Sequence, residues 1–126
     1  MPLVRIALRR GKPAAYRKAI RDGVYLAMVE SFGVPERDRF ILVSEHDEDD
    51  FDVSPDYMDI QRSADAVIIQ ITARNTRTTD QKKTFFAALV ERLKADPGIR
   101  PEDVFISLIG VEKDDWSFGN GIAQYA

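Results

Sequence analysis

Displaced by 65 residues, the chain falls on itself, strand on strand and helix on helix. Ile6 meets Ile71, Lys18 meets Lys83, Gly33 meets Gly98, Asp38 meets Asp103, Phe40 meets Phe105 and Ile41 meets Ile106. In the first copy Val4, Ile6 and Leu8 alternate with Arg5 and Arg9, the period of a strand. Gly11, Lys12 and Pro13 punctuate, and from Ala14 to Phe32 the residues Tyr16, Ile20, Val24, Ala27 and Met28 share one helical face. Gly33 and Pro35 end that helix, and Phe40-Ile41-Leu42-Val43 reads as a short buried strand. The second copy repeats the plan. Residues 66–72 form a strand, Thr78 and Gln81 have capping-box spacing, and Phe85, Phe86, Leu89, Val90 and Leu93 make the helical stripe. Asp96-Pro97-Gly98 stops the helix before a fourth strand over 104–109.

Each copy is thus a strand–helix–strand unit, whose two strands are expected to be parallel with a right-handed crossover. The pattern predicts an α+β fold: a four-stranded mixed sheet with two helices on one face. Residues 1–126 form one domain, with pseudo-repeats 2–45 and 66–110, a loop over 46–65 and a tail over 111–126. The loop is long for a compact domain, and loops of that length are usually functional or disordered. The opposite sheet face is expected to be covered by oligomerisation, because strands as apolar as one carrying Ile68, Ile69 and Ile71 are seldom left half in water.

Composition removes whole classes of function. A net charge of −3 with scattered basic residues gives no reason to expect nucleic acid. No apolar run is long enough to cross a bilayer, and Arg5, Arg9 and Arg10 break any signal-peptide pattern, so a cytoplasmic location is expected. Without cysteine there is no thiol chemistry, disulfide or thiolate metal site. The acidic run Glu45-His46-Asp47-Glu48-Asp49-Asp50 has one histidine and no helical pair of ligands, so it reads as a solvated loop and no metal is expected.

A duplicated strand–helix–strand chain that opens Met-Pro resembles the tautomerase superfamily, and more closely its malonate semialdehyde decarboxylase branch. The resemblance rests on Pro2, on Phe32-Gly33-Val34-Pro35 followed by Asp38-Arg39-Phe40, and on Arg77-Thr78 before Gln81-Lys82. Its most specific part is the tail, Asp115-Trp116-Ser117-Phe118-Gly119-Asn120-Gly121. The resemblance implies a homotrimer, no cofactor and no metal. It also implies catalytic roles for Pro2, Asp38, Arg74 and Arg77, with Trp116 and Phe118 beside Arg77 in substrate binding. One departure stands out. The decarboxylases carry two arginines separated by one residue, whereas Asn75 and Thr76 separate Arg74 from Arg77 here.

The chemistry of these residue types fits that assignment. Removal of Met1 converts Pro2 into a rigid secondary amine. Apolar walls and neighbouring arginines disfavour its cation, which makes it a general base near neutral pH. Arg77, with Arg74, suits a substrate carboxylate through the guanidinium fork. Asp38 orients the amine or activates water, although its repeat partner Asp103 points equally to a plain turn role. Trp116 and Phe118 provide the apolar wall or pack in the core. Gly119 and Gly121 indicate a tight turn, not a phosphate loop. The expected activity is a cofactor-independent keto–enol tautomerase acting on small 2-oxo or enol carboxylates. The alternatives are decarboxylation or hydration of a 3-oxo acid with Pro2 as acid, and a non-catalytic trimeric binding protein.

Overall fold

The computed structural model describes residues 2–126. Strand β1 (Leu3–Arg9) leads into helix α1 (Ala14–Phe32) and strand β2 (Phe40–His46); strand β3 (Val67–Arg74) leads into helix α2 (Thr79–Ala95) and strand β4 (Val104–Val111). The sheet order is β2-β1-β3-β4, parallel within each half and antiparallel where β1 meets β3. Leu3 faces Phe40 and Val67 faces Val104, so both halves carry the same register.

Alternation decides what the central strands bury. Val4, Ile6 and Leu8 of β1 and Val67, Ile69 and Ile71 of β3 point into the core, against Ile20, Val24 and Met28 of α1 and Phe85, Leu89 and Leu93 of α2. Each such side chain contributes about 1.5–3 kcal/mol on burial. The helices end as their sequences dictate. Gly33 takes the left-handed conformation and returns its N–H to the Val29 carbonyl at 3.1 Å, satisfying an orphan acceptor. At the start of α2, Thr78 and Gln81 form the reciprocal capping box.

Two expectations need correction. Phe40–Val43 is not a buried strand: β2 is a sheet edge, and Phe40 and Leu42 remain 48% and 50% exposed. The uncovered sheet face is the cause: Phe40 and Leu42 pair with Leu3 and Arg5 and point with them away from the helices, while Ile41 and Val43 pack against the core. Nor is 46–65 without structure. It makes single 3-10 turns at Glu48–Asp50 and Tyr57–Asp59 and buries Phe51. The Arg62 guanidinium gathers the carbonyls of Tyr57 at 3.0 Å and Ile60 at 3.3 Å. The acidic run is engaged as well: Glu45 pairs with Arg17 and Asp47 with Arg10.

The sheet face away from the helices is uncovered in the single chain. Phe40 and Leu42 on one edge and Phe105 and Ile109 on the other are exposed, flanking Arg5 and Gln70 in the middle. Among the described residues no helix is long and apolar enough to cross a membrane.

Candidate active site

Strand pairing draws the candidate residues to one end of the sheet. Leu3 lies opposite Thr72, so Pro2 stands beside the end of β3, where Arg74 is the last residue. Leu3 also lies opposite Phe40 in the parallel direction, which brings Asp38 to the same end. β4 finishes next to Arg74, at Val111, and releases the tail there.

Pro2 is buried and, with Leu3, Phe40, Trp116, Ser117 and Phe118, lines a cavity of about 280 Å³. The rings of Trp116 and Phe118 stack with centroids 5.6 Å apart and planes at 10°. The tail that carries them has little regular structure but is well tied. A 3-10 turn over Lys113–Asp115 is closed by a hydrogen bond from the Glu112 N–H to Asp115 Oδ2 at 2.8 Å. The Gln124 amide then makes a two-point clamp: its oxygen accepts from the Phe118 N–H at 2.9 Å, and its nitrogen donates to the Gly119 carbonyl at 3.1 Å. Between these points Gly119, Asn120 and Gly121 all have positive φ, which explains the glycines there.

The arginines occupy a neighbouring cleft rather than the proline cavity itself. Arg74, Asn75 and Arg77 line it with Phe32, Ile109 and Gly110, and it encloses about 40 Å³. Arg77 donates to the Phe32 carbonyl at 3.4 Å, and its guanidinium carbon lies 4.9 Å from the Phe32 ring centroid. Burial lowers the Arg77 pKa, the positive charge of Arg74 lowers it further, and the carboxylate of Asp38 opposes both. Even so lowered, a guanidinium stays protonated in proteins. Arg77 thus lies within the electrostatic reach of both Arg74 and Asp38.

Asp38 is only 5% exposed. In its repeat partner Asp103, 1% exposed, both oxygens accept from Ser63, from the N–H at 2.7 Å and the hydroxyl at 2.6 Å. At Asp103 the plain turn role weighed for this position is realised. Removal of Met1, on which the chemistry of Pro2 depends, lies outside the described residues.

Sequence reasoning missed three contributors. Tyr125 meets Phe118 edge-on at 5.2 Å and lies under Arg74, whose guanidinium carbon is 5.9 Å from its ring centroid, so it bridges cavity and arginine cleft. Phe40 closes the cavity floor, 6.5 Å from Phe118. Gln124 sets the loop between them. Tyr125 and Gln124 lie in an irregular tail without periodicity, and Phe40 opens an apolar run that reads as a buried strand, so no local pattern marks the three for the site.

Comparison with known proteins agrees with this architecture. Two models described as tautomerase enzyme match residues 38–119 and 2–59. The chain is 36% identical to the probable tautomerase YusQ of Bacillus subtilis strain 168 over 98% of each sequence. Among solved structures it is similar to FG41 malonate semialdehyde decarboxylase inhibited by 3-bromopropiolate, with a TM-score of 0.91 and 40% identity, covering 98% of this chain and 93% of that one. A fused 4-OT symmetric trimer shares the fold at 22% identity and a TM-score of 0.80, over 98% of this chain and 97% of that one. The chain belongs to the tautomerase family.

Proposed function

We propose that the chain is a cofactor-independent tautomerase in which Pro2, freed of Met1, moves a proton between oxygen and carbon of a small 2-oxo or enol carboxylate. The observation that carries this reading is the shared cavity of Pro2, Trp116 and Phe118, with Arg74 joined to its wall through Tyr125. The aromatic wall keeps water from the amine and disfavours its cation. Arg77 and Arg74 hold the carboxylate, which fixes the reacting carbon over the ring nitrogen. Asp38 orients the amine. Assembly as a homotrimer covers the exposed sheet face, in keeping with its apolar rim.

General-base placement of this kind accounts for about 10²–10⁴ in rate. Protein beginning at Pro2 is therefore expected to ketonise phenylenolpyruvate, and Pro2→Ala to lose about that factor in kcat/KM. Since the active form is the neutral amine, kcat/KM falls on the acid side as the amine takes up a proton. Undiminished activity in Pro2→Ala would overturn the mechanism, and inactivity of both proteins would favour a binding module.

The 40% identity to a malonate semialdehyde decarboxylase supports a second reading. There Pro2 stays protonated beside Asp38 and polarises the carbonyl of a 3-oxo acid while the arginines place the carboxylate to be lost. The pH profile separates the two: the acid mechanism fails on the alkaline side, as the amine loses its proton.

A further inference from the structure

The arrangement that brings Pro2 to Arg74 has a counterpart at the other end of the sheet. Leu3 pairs with Thr72, and the 65-residue offset turns that pair into Ile68 with Ala7, which are also partners. The same offset carries Arg74 onto Arg9, Arg77 onto Lys12, and Pro2 onto Val67. These three counterparts line a second cavity, of about 380 Å³, together with Leu8 and Tyr16.

Its charges are arranged for an acid. Arg9 has no carboxylate partner among the described residues; it donates to the carbonyls of Ala64 at 2.9 Å and Phe51 at 3.3 Å. Lys12 already holds a carboxylate from the chain itself, Asp65, at 2.8 Å. Burial raises the pKa of the Tyr16 phenol, which keeps it neutral as a donor. Two features oppose an anion: Glu48 lies on the wall, and Arg10 is engaged with Asp47 at 2.9 Å. The reactive element is missing, because position 67 contributes an ordinary peptide nitrogen inside β3.

We propose that this cavity is a second carboxylate site, where Arg9 and Lys12 bind a small monocarboxylate with an apolar body and no chemistry follows. The ligand class rests on the reading of the Pro2 end. Asp65 acts as an internal competitor that the ligand displaces, while Leu8, Val67 and Tyr16 receive the apolar body.

Phenylacetate is a suitable probe, since it has a carboxylate and a ring but no ketone to enolise. In a titration followed by amide NMR, Gly11 and Val67 report this cavity, and Leu3 and Ser117 report the one at Pro2. Both pairs are expected to shift, and Arg9→Gln to abolish the response of Gly11 and Val67 alone. Because Arg9 also supports the 46–65 loop, Asp65→Asn provides the decisive variant. Loss of the internal competitor is expected to tighten binding at this cavity about threefold to tenfold. Absence of shifts at Gly11 and Val67 up to about 20 mM phenylacetate would overturn the proposal, as would unchanged or weaker binding in Asp65→Asn. Shifts at Gly11 and Val67 without any at Leu3 and Ser117 would uphold this site and remove the carboxylate from the proposed chemistry at Pro2. The reverse pattern would remove this site and leave the Pro2 reading standing.

Discussion

The two ends of the sheet are built from the same parts and have been put to different use. At one end Pro2 is buried beside an aromatic wall; at the other Val67 is one more residue of a central strand. Asp38 lies within the electrostatic reach of Arg77, whereas Asp103 is consumed by Ser63. The difference teaches that position in a repeated unit fixes where a carboxylate sits, and that its neighbours decide what it does.

The contrast between the aspartates can be broken by exchanging amide for acid. Asp103→Asn removes at least one charge-assisted hydrogen bond from a buried pair and is expected to cost about 2 kcal/mol of stability in urea denaturation. Activity per folded chain should change little. Asp38→Asn is expected to lower kcat/KM about tenfold or more and to cost less stability than Asp103→Asn. If both substitutions ranked the same way in stability and in activity, the division of roles would be wrong.

A subtler contrast lies where the sheet ends. Gly110 occupies the place that Glu45 holds in the first half. A β-carbon at Gly110 would lie 3.0 Å from the Asn75 side chain, in the segment that carries Arg74 and Arg77. Gly110→Ala should push that segment aside and raise KM for a carboxylate substrate several-fold, with a smaller effect on kcat. Equal losses in kcat and KM affinity would locate the disturbance elsewhere.

The smallest effect concerns an ion network present in one half only. Lys18 and Lys83 are repeat partners, but Asp22 and Arg39 correspond to Ala87 and Val104. The hydrogen bond from Lys18, followed by that from Arg39, holds the Asp22 carboxyl below its ordinary pKa. A lowered folded-state pKa contributes stability above the unfolded value of about 3.9, and that contribution is lost as pH falls through the folded value. With Asp22 35% exposed, solvent screening keeps the contribution below about 1 kcal/mol. Asp22→Asn should therefore lower Tm slightly at neutral pH and flatten its decline on acidification below about pH 4. An unchanged acid slope would show that the network contributes nothing.

Much of this is legible in the sequence because it is local. Gly33 ends α1, Thr78 and Gln81 cap α2, and the alternation in Val4-Ile6-Leu8 identifies the face that β1 buries. Which sheet face the helices cover is not local, and so the apolar run places Phe40 and Leu42 inside although they point to the uncovered face. Among site residues, Pro2, Trp116 and Phe118 are brought to one cavity. Tyr125 and Gln124 give no such signal because their partners are set by a loop of left-handed residues, where no periodic rule applies.

The way β1 is anchored bears on how Pro2 would work. Val4 and Ile6, the strand residues that follow it inward, are fully buried, and the ladder to β2 and β3 begins at Leu3. The ring nitrogen of residue 2 is a main-chain atom, so a base placed there has no rotamers to search. A side chain held for the same purpose gives up about 0.5–1.5 kcal/mol of freedom when it is immobilised. With Pro2 as the proposed base, its aim would be inherited from the sheet, and its accuracy should survive any repacking of the aromatic wall that leaves the first rung of the ladder intact.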